Sequence, residues 1–295
     1  MLYVFLAYIL RLGVGEIRWL PHPERGIEWL ITELKDFFKL RFRNLKAAGI
    51  LLAFLVIGIT YAFARFFIWD LSLIYPALKG LGSIILIYLA LSMKGIKEEC
   101  LAYQIDREIR DSYREQLISR NIESVSENTV SGVIAVLIYA FIAGGILVWI
   151  YKAINILYLK TGHRNALDET GWFSTRLNET FNYLPSMISI LLISFASYLT
   201  SRKDFLKTLK ASYKEGVNHL QPYVGVAQAS FANALGVQLG GLNYSQGLPV
   251  HTPYVGCLYN PPMDKHIEEA VRLMYVSSAI TVGFLIIINY IWNVL

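Results

Sequence analysis

Two glutamates spaced four residues apart are of the type and spacing that could do chemistry. Glu123 and Glu127 lie in the run ESVSEN, and Asn128 follows the second of them directly. On a helix this spacing puts both carboxylates on one face, where they could hold Mg²⁺ with its attached phosphates. A solvated acidic helix start just outside a membrane has the same pattern, and spacing alone favours that second interpretation.

A second candidate is the turn formed by Gly162, His163, Arg164 and Asn165. Its imidazole can titrate near neutral pH, and its guanidinium can bind an anion through two parallel hydrogen bonds. A helix C-terminus would also explain the glycine and the basic side chains. That simpler interpretation does not require the asparagine, so both remain open.

The third candidate is the glycine-rich segment from Gly236 to Gly247, whose backbone N–H groups could cradle a phosphate. It lacks the lysine and the Ser/Thr of a Walker A motif, and a tightly turned loop explains the glycines more simply. The five histidines show no HxxxH or HExxH spacing, so we predict no zinc site.

The composition indicates what must position these residues. Hydrophobic residues make up 55% of the chain, charged residues make up 17%, and the mean hydropathy is +0.44. These values predict an integral membrane protein. The net charge of +5 is not concentrated in one tail, so no nucleic-acid partner is predicted. Cys100 and Cys257 have no spacing typical of a disulfide framework or a metal site.

A membrane-spanning helix needs about 20 mainly apolar residues. The apolar segments are 1–15, 47–69, 71–93, 133–159, 184–200 and 273–295. They predict an all-α polytopic protein with four to six membrane helices, forming one membrane domain over residues 1–295. Basic residues in 35–46 and 201–214 predict that these stretches face the cytoplasm, and 27–42 has the pattern of an amphipathic helix on that surface.

Two of the apolar segments could be re-entrant half-helices instead of full spans. Residues 133–159 carry Gly144-Gly145 near the middle and Lys152 in the second half, and 184–200 is short and contains Pro185. Broken helices of this kind line polar cavities in membrane proteins. The alternative decides on which side of the membrane residues 160–183 lie. Lys152 itself is a functional candidate, because an intramembrane charge is costly.

Residues 216–262 differ in composition from the rest of the chain. They are rich in Gly, Pro, Asn and Tyr, and they are too long for a simple connection between helices. We therefore expect a functional loop within the membrane domain.

Several motifs together resemble one family. They are RWLPHPERGIEW, ESVSENTVSGVIA, YKAIN followed by GHRN, GWFSTRLNETFNYLP and ALGVQLGGLNYSQG. In this order they are similar to motifs of the membrane-bound adenosylcobinamide-phosphate synthases of cobalamin biosynthesis, the CobD/CbiB type. No single motif is decisive, but five in the family's order are specific.

The resemblance implies an ATP- and Mg²⁺-dependent ligase of the plasma membrane whose active loops face the cytoplasm. Members join aminopropanol, or its phosphate, to a propionate carboxylate of adenosylcobyric acid. The implied partners are the corrinoid and amino-alcohol substrates and membrane lipid. A second copy of the chain, or other membrane enzymes acting on corrinoids, would be further partners.

Matching the motifs residue by residue gives the expected site. The catalytic candidates are Glu123, Glu127, Asn128, His163, Arg164 and Asn165. The candidates for binding the nucleotide or corrinoid are Arg18, His22, Gly240, Gly241 and Asn243. Glu123 and Glu127 are the expected metal ligands.

The chain also departs from the family pattern at charged positions. Ser131 and Tyr158 stand where aspartate is usual, Gln228 where glutamate is expected, and Gln238 where arginine is expected. Loss of charge with retention of glycines, prolines and aromatics would suit a preserved fold with altered or lost catalysis. A non-catalytic relative of the CobD or AmpE type, with a binding or regulatory role, is therefore the alternative function.

Overall fold

The structure is a computed structural model, and it describes residues 1–15, 22–75, 78–93, 111–162, 169–219, 221–245 and 248–294. The predicted site residues Arg18, His163, Arg164 and Asn165 lie outside these ranges. We predicted a single membrane domain. Contacts within the chain define two compact units, one made of residues 1–91 and 136–181 and the other of residues 92–135 and 182–295.

The elements are mainly helices. In chain order they are α1 (Leu2–Val14), α2 (Pro23–Arg41), α3 (Leu45–Ile74), α4 (Leu78–Ala90), α5 (Asp111–Asn128), a π-helix (Thr129–Ile134), α6 (Ala135–Thr161), a 3-10 turn (Glu169–Gly171), α7 (Trp172–Ser201), α8 (Phe205–Val217), α9 (Pro222–Leu235), β1 (Gln238–Ser245), β2 (Leu248–Gly256) and α10 (Asp264–Val294).

The prediction of an all-α polytopic membrane protein is confirmed. Among the described residues, four helical runs are long and apolar enough to cross a membrane: Leu45–Leu73, Arg114–Thr161, Glu169–Ser201 and Asp264–Val294. Two shorter apolar helices, α1 and α4, bring the possible number to the upper end of the expected range. The predicted segments 47–69 and 71–93 are separated at Asp70, but α3 continues through Asp70 and ends at Ile74.

The run from Arg114 to Thr161 is not one straight helix. At 48 residues it would be about 72 Å long if straight, far more than a bilayer is thick. Ala143 (φ −144°, ψ 20°) and Gly144 (φ 71°, ψ −161°) leave the helical region and divide α6 into two halves. The left-handed φ at Gly144 is one that glycine adopts without strain.

The two halves of α6 turn back toward each other. The ring centroids of Tyr139 and Tyr151 lie 5.0 Å apart, although twelve residues separate them in the chain. In a straight helix their Cα atoms would be about 18 Å apart, more than the two side chains can span. The N–H of Gly145 donates to Ser83 Oγ of α4 at 3.1 Å, which holds the turn in place. Of the two alternatives for 133–159, the structure therefore shows the one in which two half-helices meet at the glycine pair.

The other segment for which a re-entrant half-helix was left open, 184–200, lies within one continuous helix. The helix α7 runs for 30 residues with Pro185 inside it. A proline removes the hydrogen bond to the carbonyl four residues earlier, here that of Phe181. Tyr139 Oη donates to this carbonyl oxygen at 2.5 Å, so the unpaired group is satisfied without a break.

The expected loop at 216–262 is wrong as a description of structure. It contains α9 and an antiparallel hairpin of β1 and β2. Pro222 starts α9 and Gly236 ends it with φ 74°, so the proline and glycine that suggested a loop mark the two ends of a helix. Between them the sequence is mostly small and apolar, and α9 is buried along most of its length.

Candidate functional site

Glu123 lies on α5 with its side chain buried, only 6% exposed. Its Oε1 accepts two hydrogen bonds of 2.9 Å, one from Ser119 Oγ on the preceding turn and one from the backbone N–H of Gly240 on β1. A buried carboxylate needs such donors, because burying a charge without partners is costly. Glu123 therefore ties α5 to the hairpin.

The hairpin presents the N–H of Gly240 because its strands are irregular there. The pairing register shifts between Leu239 and Gly241, which takes Gly240 out of regular pairing with β2. Gly240 has φ 91°, and a Cβ at this position would overlap the carbonyl oxygen of Pro253. Only glycine suits this position, and its N–H is engaged by Glu123.

A second carboxylate holds the base of the hairpin. Glu215 Oε2 on α8 accepts from the N–H of Gly256 at 2.7 Å and from Asn233 Nδ2 at 3.1 Å. Glu215 was not among the predicted site residues, because it follows several lysines in a pattern typical of a solvated surface. Both strands of the hairpin are thus fixed through glycine N–H groups to glutamates.

Glu127 lies one turn after Glu123 and has a different partner. Its Oε1 accepts a 2.9 Å hydrogen bond from Gln228 Nε2 of α9. Gln228 is 3% exposed, and its Oε1 is buried with no hydrogen-bond partner among the described residues. A buried acceptor without a donor costs free energy, so this oxygen marks a place where a ligand would be stabilised.

Asn128 is the next residue after Glu127, and the π-helix begins directly after Asn128. Asn128 Nδ2 donates to Ser124 Oγ of its own helix at 3.3 Å, so its side chain is turned along α5. The π-helix starts at the next residue, and the carbonyl of Gly132 accepts from the N–H of Ser92. Short π-helices occur often at functional sites, because they leave backbone groups available and re-aim side chains.

His219 was not among the predicted site residues. It lies between α8 and α9, its Nδ1 is hydrogen-bonded to the Gln221 backbone, and its Nε2 is buried without a partner among the described residues. Burial lowers the pKa of His219, against the Gln221 hydrogen bond and the Glu123 carboxylate, which raise it. The imidazole is thus neutral near pH 7. No spacing motif surrounds it, so only its position in the fold identifies it.

These residues bring part of the predicted site together within one unit. Glu123, Glu127 and Gly240 are connected by the hydrogen bonds above, and Gly241 follows with φ 94°. The backbone of Asn243 lies in β1. The side chain of Asn243 lies outside the described part of the structure.

His22 belongs to the other unit, where it immediately precedes α2. Beside it, Glu24 pairs with Lys152 of α6 at 2.8 Å, and Glu28 pairs with Lys160 at 2.9 Å. Burial raises the pKa of Glu24, but the Lys152 ammonium outweighs it and the net pKa is lowered. Lys152, a functional candidate because of its apolar surroundings, thus forms an ion pair that fixes α2 to α6.

The oxygen donors beside Glu127 fit a hard cation. Mg²⁺ is bound in proteins by one or two carboxylates, with water and substrate phosphates completing its shell. The Glu127 carboxylate and the unpartnered Gln228 Oε1 are such donors, whereas Glu123 Oε1 already accepts two hydrogen bonds. In the described part of the chain, no group of three or more His, Cys, Asp or Glu side chains is placed to hold a metal.

The fold and this carboxylate site define a helical, multi-pass membrane protein with a polar site held by α5, α9 and a hairpin. The family model described as "CobD/Cbib protein" matches residues 4–105 and 99–274. The chain therefore belongs to the CobD/CbiB family of cobalamin biosynthesis.

Curated relatives agree with this family over nearly their whole length. The chain is 31% identical over 298 residues to "Cobalamin biosynthesis protein CobD" of Geobacter metallireducens, covering 95% of this chain and 93% of that one. It is 29% identical over 307 residues to the protein of the same name from Citrobacter koseri, covering 96% of each. It is 27% identical over 304 residues to "Cobalamin biosynthesis protein CbiB" of Salmonella paratyphi A, covering 95% of each. No solved structure matches the chain.

Proposed function

We propose that this protein is an adenosylcobinamide-phosphate synthase. It would join aminopropanol, or its phosphate, to a carboxylate of adenosylcobyric acid by an ATP-dependent amide ligation. The observation that carries the proposal is the Glu127–Gln228 pair, a carboxylate beside a buried carbonyl oxygen to which no described residue donates a hydrogen bond. Family membership places the protein in cobalamin biosynthesis, and the Glu127–Gln228 pair would provide oxygen ligands for a cation.

Amide formation from a carboxylate requires a leaving group, because the carboxylate oxygen does not depart by itself. When bound, ATP with Mg²⁺ would supply that activation and neutralise the phosphate charge. Glu127 and Gln228 Oε1 would hold the cation on the protein side. Glu123 would act as a positioning residue, since it holds α5 and β1 together next to Glu127.

His219 would serve as the base for the incoming amine. An ammonium group has no lone pair, so the nitrogen must lose a proton before it attacks and another as the C–N bond forms. With Nδ1–H donating to the Gln221 carbonyl oxygen at 3.3 Å, the buried Nε2 would carry the lone pair that accepts the proton. Nε2 has no protein partner among the described residues, and burial keeps the imidazole neutral. Its nearness to the Glu123 carboxylate would stabilise the imidazolium that forms.

Other expected residues enter as proposals through the family resemblance. His163, Arg164 and Asn165 would bind anionic groups of the substrates, as would Arg18 and His22. Gly241 and Asn243 would contact the nucleotide or corrinoid from β1. The protein would lie in the plasma membrane with these loops on the cytoplasmic side, where ATP and corrinoid precursors are found.

Complementation tests the catalytic proposal against the regulatory alternative. A strain that lacks its own synthase should regain cobalamin-dependent growth when it expresses this chain. Failure to grow, with the protein present in the membrane at normal amounts, would favour a non-catalytic relative.

A matched pair of variants tests the site within that assay. Glu127→Gln keeps the size of the side chain but removes its charge, and should abolish complementation and reduce ligation at least about a hundredfold. Glu115→Gln makes the same change at an exposed position on the same helix and should be neutral. Wild-type turnover in Glu127→Gln would remove Glu127 from the site.

A further inference from the structure

The second unit has an apolar groove whose lining includes none of the carboxylates of the candidate site. It has a volume of about 420 Å³. It is lined by residues of α7, the first residue of α8, and α10: Leu191, Leu192, Phe195, Phe205, Ile280, Gly283, Phe284 and Ile287. The α7 and α10 residues belong to two of the runs long and apolar enough to span a membrane.

The lining of the groove includes one glycine with open space beside it and one aromatic pair. A Cβ at Gly283 would meet nothing within 4 Å, so the middle of the groove has space for a ligand. At one end the rings of Phe195 and Phe205 pack edge to face, with centroids 6.3 Å apart. Phe205 is also the first residue of α8, so the groove ends where the chain leaves the apolar helix α7.

Basic residues cluster at that end. Between residues 201 and 214 the chain has five basic residues and a single acidic one, Asp204, whose carboxylate caps α8 by accepting from the N–H of Lys207. Arg202 and Lys207 are exposed on either side of Phe205. The Lys203 ammonium lies instead near Gly236, at the C-terminus of α9.

The helix α8 has the features of a helix in the membrane interface. Leu206 is 59% exposed and Tyr213 is 54% exposed, and lysines alternate with them along the helix. Exposed apolar and basic residues on one short helix favour the boundary between headgroups and acyl chains. This placement would put Arg202 and Lys207 at the depth of lipid phosphates.

We propose that the groove and its basic end bind one anionic phospholipid. Its headgroup phosphate would contact Arg202 and Lys207, and one acyl chain would lie along the groove past Gly283. Basic pockets beside membrane helices bind anionic headgroups in this way. A second copy of the chain suits the groove less well, because symmetric pairing would place the same basic end of both copies in one interface.

The proposal does not depend on the reaction performed at Glu127. Its test uses the full-length protein in detergent, titrated with dioleoyl phosphatidylglycerol or dioleoyl phosphatidylcholine and analysed by native mass spectrometry. The wild type should retain one phosphatidylglycerol per chain, with weaker binding of phosphatidylcholine. The double variant Arg202→Gln, Lys207→Gln should bind phosphatidylglycerol about tenfold more weakly or worse.

Two controls separate this site from general effects of charge and bulk. Lys265→Gln with Arg272→Gln removes two exposed charges at the start of α10 and should leave binding unchanged. Gly283→Leu should fill the groove and abolish retention, whereas Gly58→Leu, at another helical glycine with nothing within 4 Å, should not.

Three results would overturn the proposal. They are equal retention of the two lipids by the wild type, unchanged binding in the Arg202/Lys207 double variant, and a dimer that Gly283→Leu converts to monomers. The last would assign the groove to a second copy of the chain. The charge variants keep the test decisive even if Gly283→Leu fails to fold.

Discussion

At the scale of single residues, hydrogen bonds separate the roles of Glu123 and Glu127. Both lie on one face of α5, but Glu123 Oε1 accepts from a hydroxyl and a backbone N–H, while Glu127 Oε1 accepts from the side-chain amide of Gln228. Two donors on one carboxylate oxygen fix it in place and leave that oxygen little capacity for a cation. These bonds support the proposal that Glu123 positions the site and Glu127 binds the ligand.

His219 gives a pH prediction at the same scale. In the proposed reaction its neutral form would be the base. Its pKa is lowered from the ordinary value of 6.5, so the base would be available above about pH 6.5 and lost as the pH falls through the lowered pKa. The kcat/KM of the wild type should fall on the acid side accordingly. His219→Gln should reduce kcat/KM about a hundredfold or more and remove that acid limb.

The control for this prediction is His251→Gln, the same change at an exposed histidine of β2. It should leave both the rate and the pH profile of kcat/KM unchanged. An acid limb that persists in His219→Gln would show that another group titrates, and His219 would then have no role as the base.

Sequence spacing could identify Glu123 and Glu127 because helical periodicity places residues four apart on one face. It could not identify His219 or Glu215, because their partners are distant in the chain. Glu215 bonds to Gly256, 41 residues away, and Glu123 acts on His219 across 96 residues. Such pairs arise from the packing of α5, α8, α9 and the hairpin, which no local pattern contains.

At the scale of elements, the sequence left two segments open between a full span and a broken helix, and the structure breaks only the first of them. Gly144 allows the left-handed φ that a sharp turn needs, and a glycine pair inside an apolar segment is a local signal for it. Pro185 gave the same kind of signal, but Tyr139 satisfies the carbonyl that the proline leaves unpaired. Whether a proline breaks a helix thus depends on a tertiary partner 42 residues away.

The hairpin provides a stability prediction for its attachment to α5. Gly240→Ala would place a side chain at φ 91° and against the Pro253 carbonyl oxygen, and would strain the bond from Gly240 N–H to Glu123. The free energy of unfolding should fall by about 2 kcal/mol. Denaturation in detergent measures the loss, and hydrogen exchange should increase in β1 and β2.

Gly26→Ala is the matched change for this measurement. It lies in α2, and a Cβ there would meet nothing within 4 Å. Because alanine favours helix over glycine by about 1 kcal/mol, this variant should be neutral or slightly more stable. Equal stability of the two alanine variants would mean that the close approach of Gly240 to β2 does not constrain the fold.

At the scale of the whole molecule, composition alone predicted the class, because a chain of this hydropathy buries its apolar surface in a bilayer. Topology depends on a finer feature. The two halves of α6 turn back at Gly144, so the start and the end of α6 should lie on the same side of the membrane. The ion pair between Lys160 and Glu28 places the end of α6 beside α2.

Cysteine labelling tests this topology. The chain has two cysteines, so Cys100→Ser with Cys257→Ser gives a background without thiols. The basic residues at the end of α2 predict that it faces the cytoplasm, and a cysteine at Lys160 should therefore react only after an impermeant maleimide is given access to the inner side. Arg43→Cys, just beyond α2, should label from the same side. With the turn at Gly144, Glu115→Cys on α5, before the start of α6, should also label from the inner side. If α6 crossed the membrane as one straight helix, its start would lie opposite its end, and Glu115→Cys would react in intact cells while Lys160→Cys stayed protected.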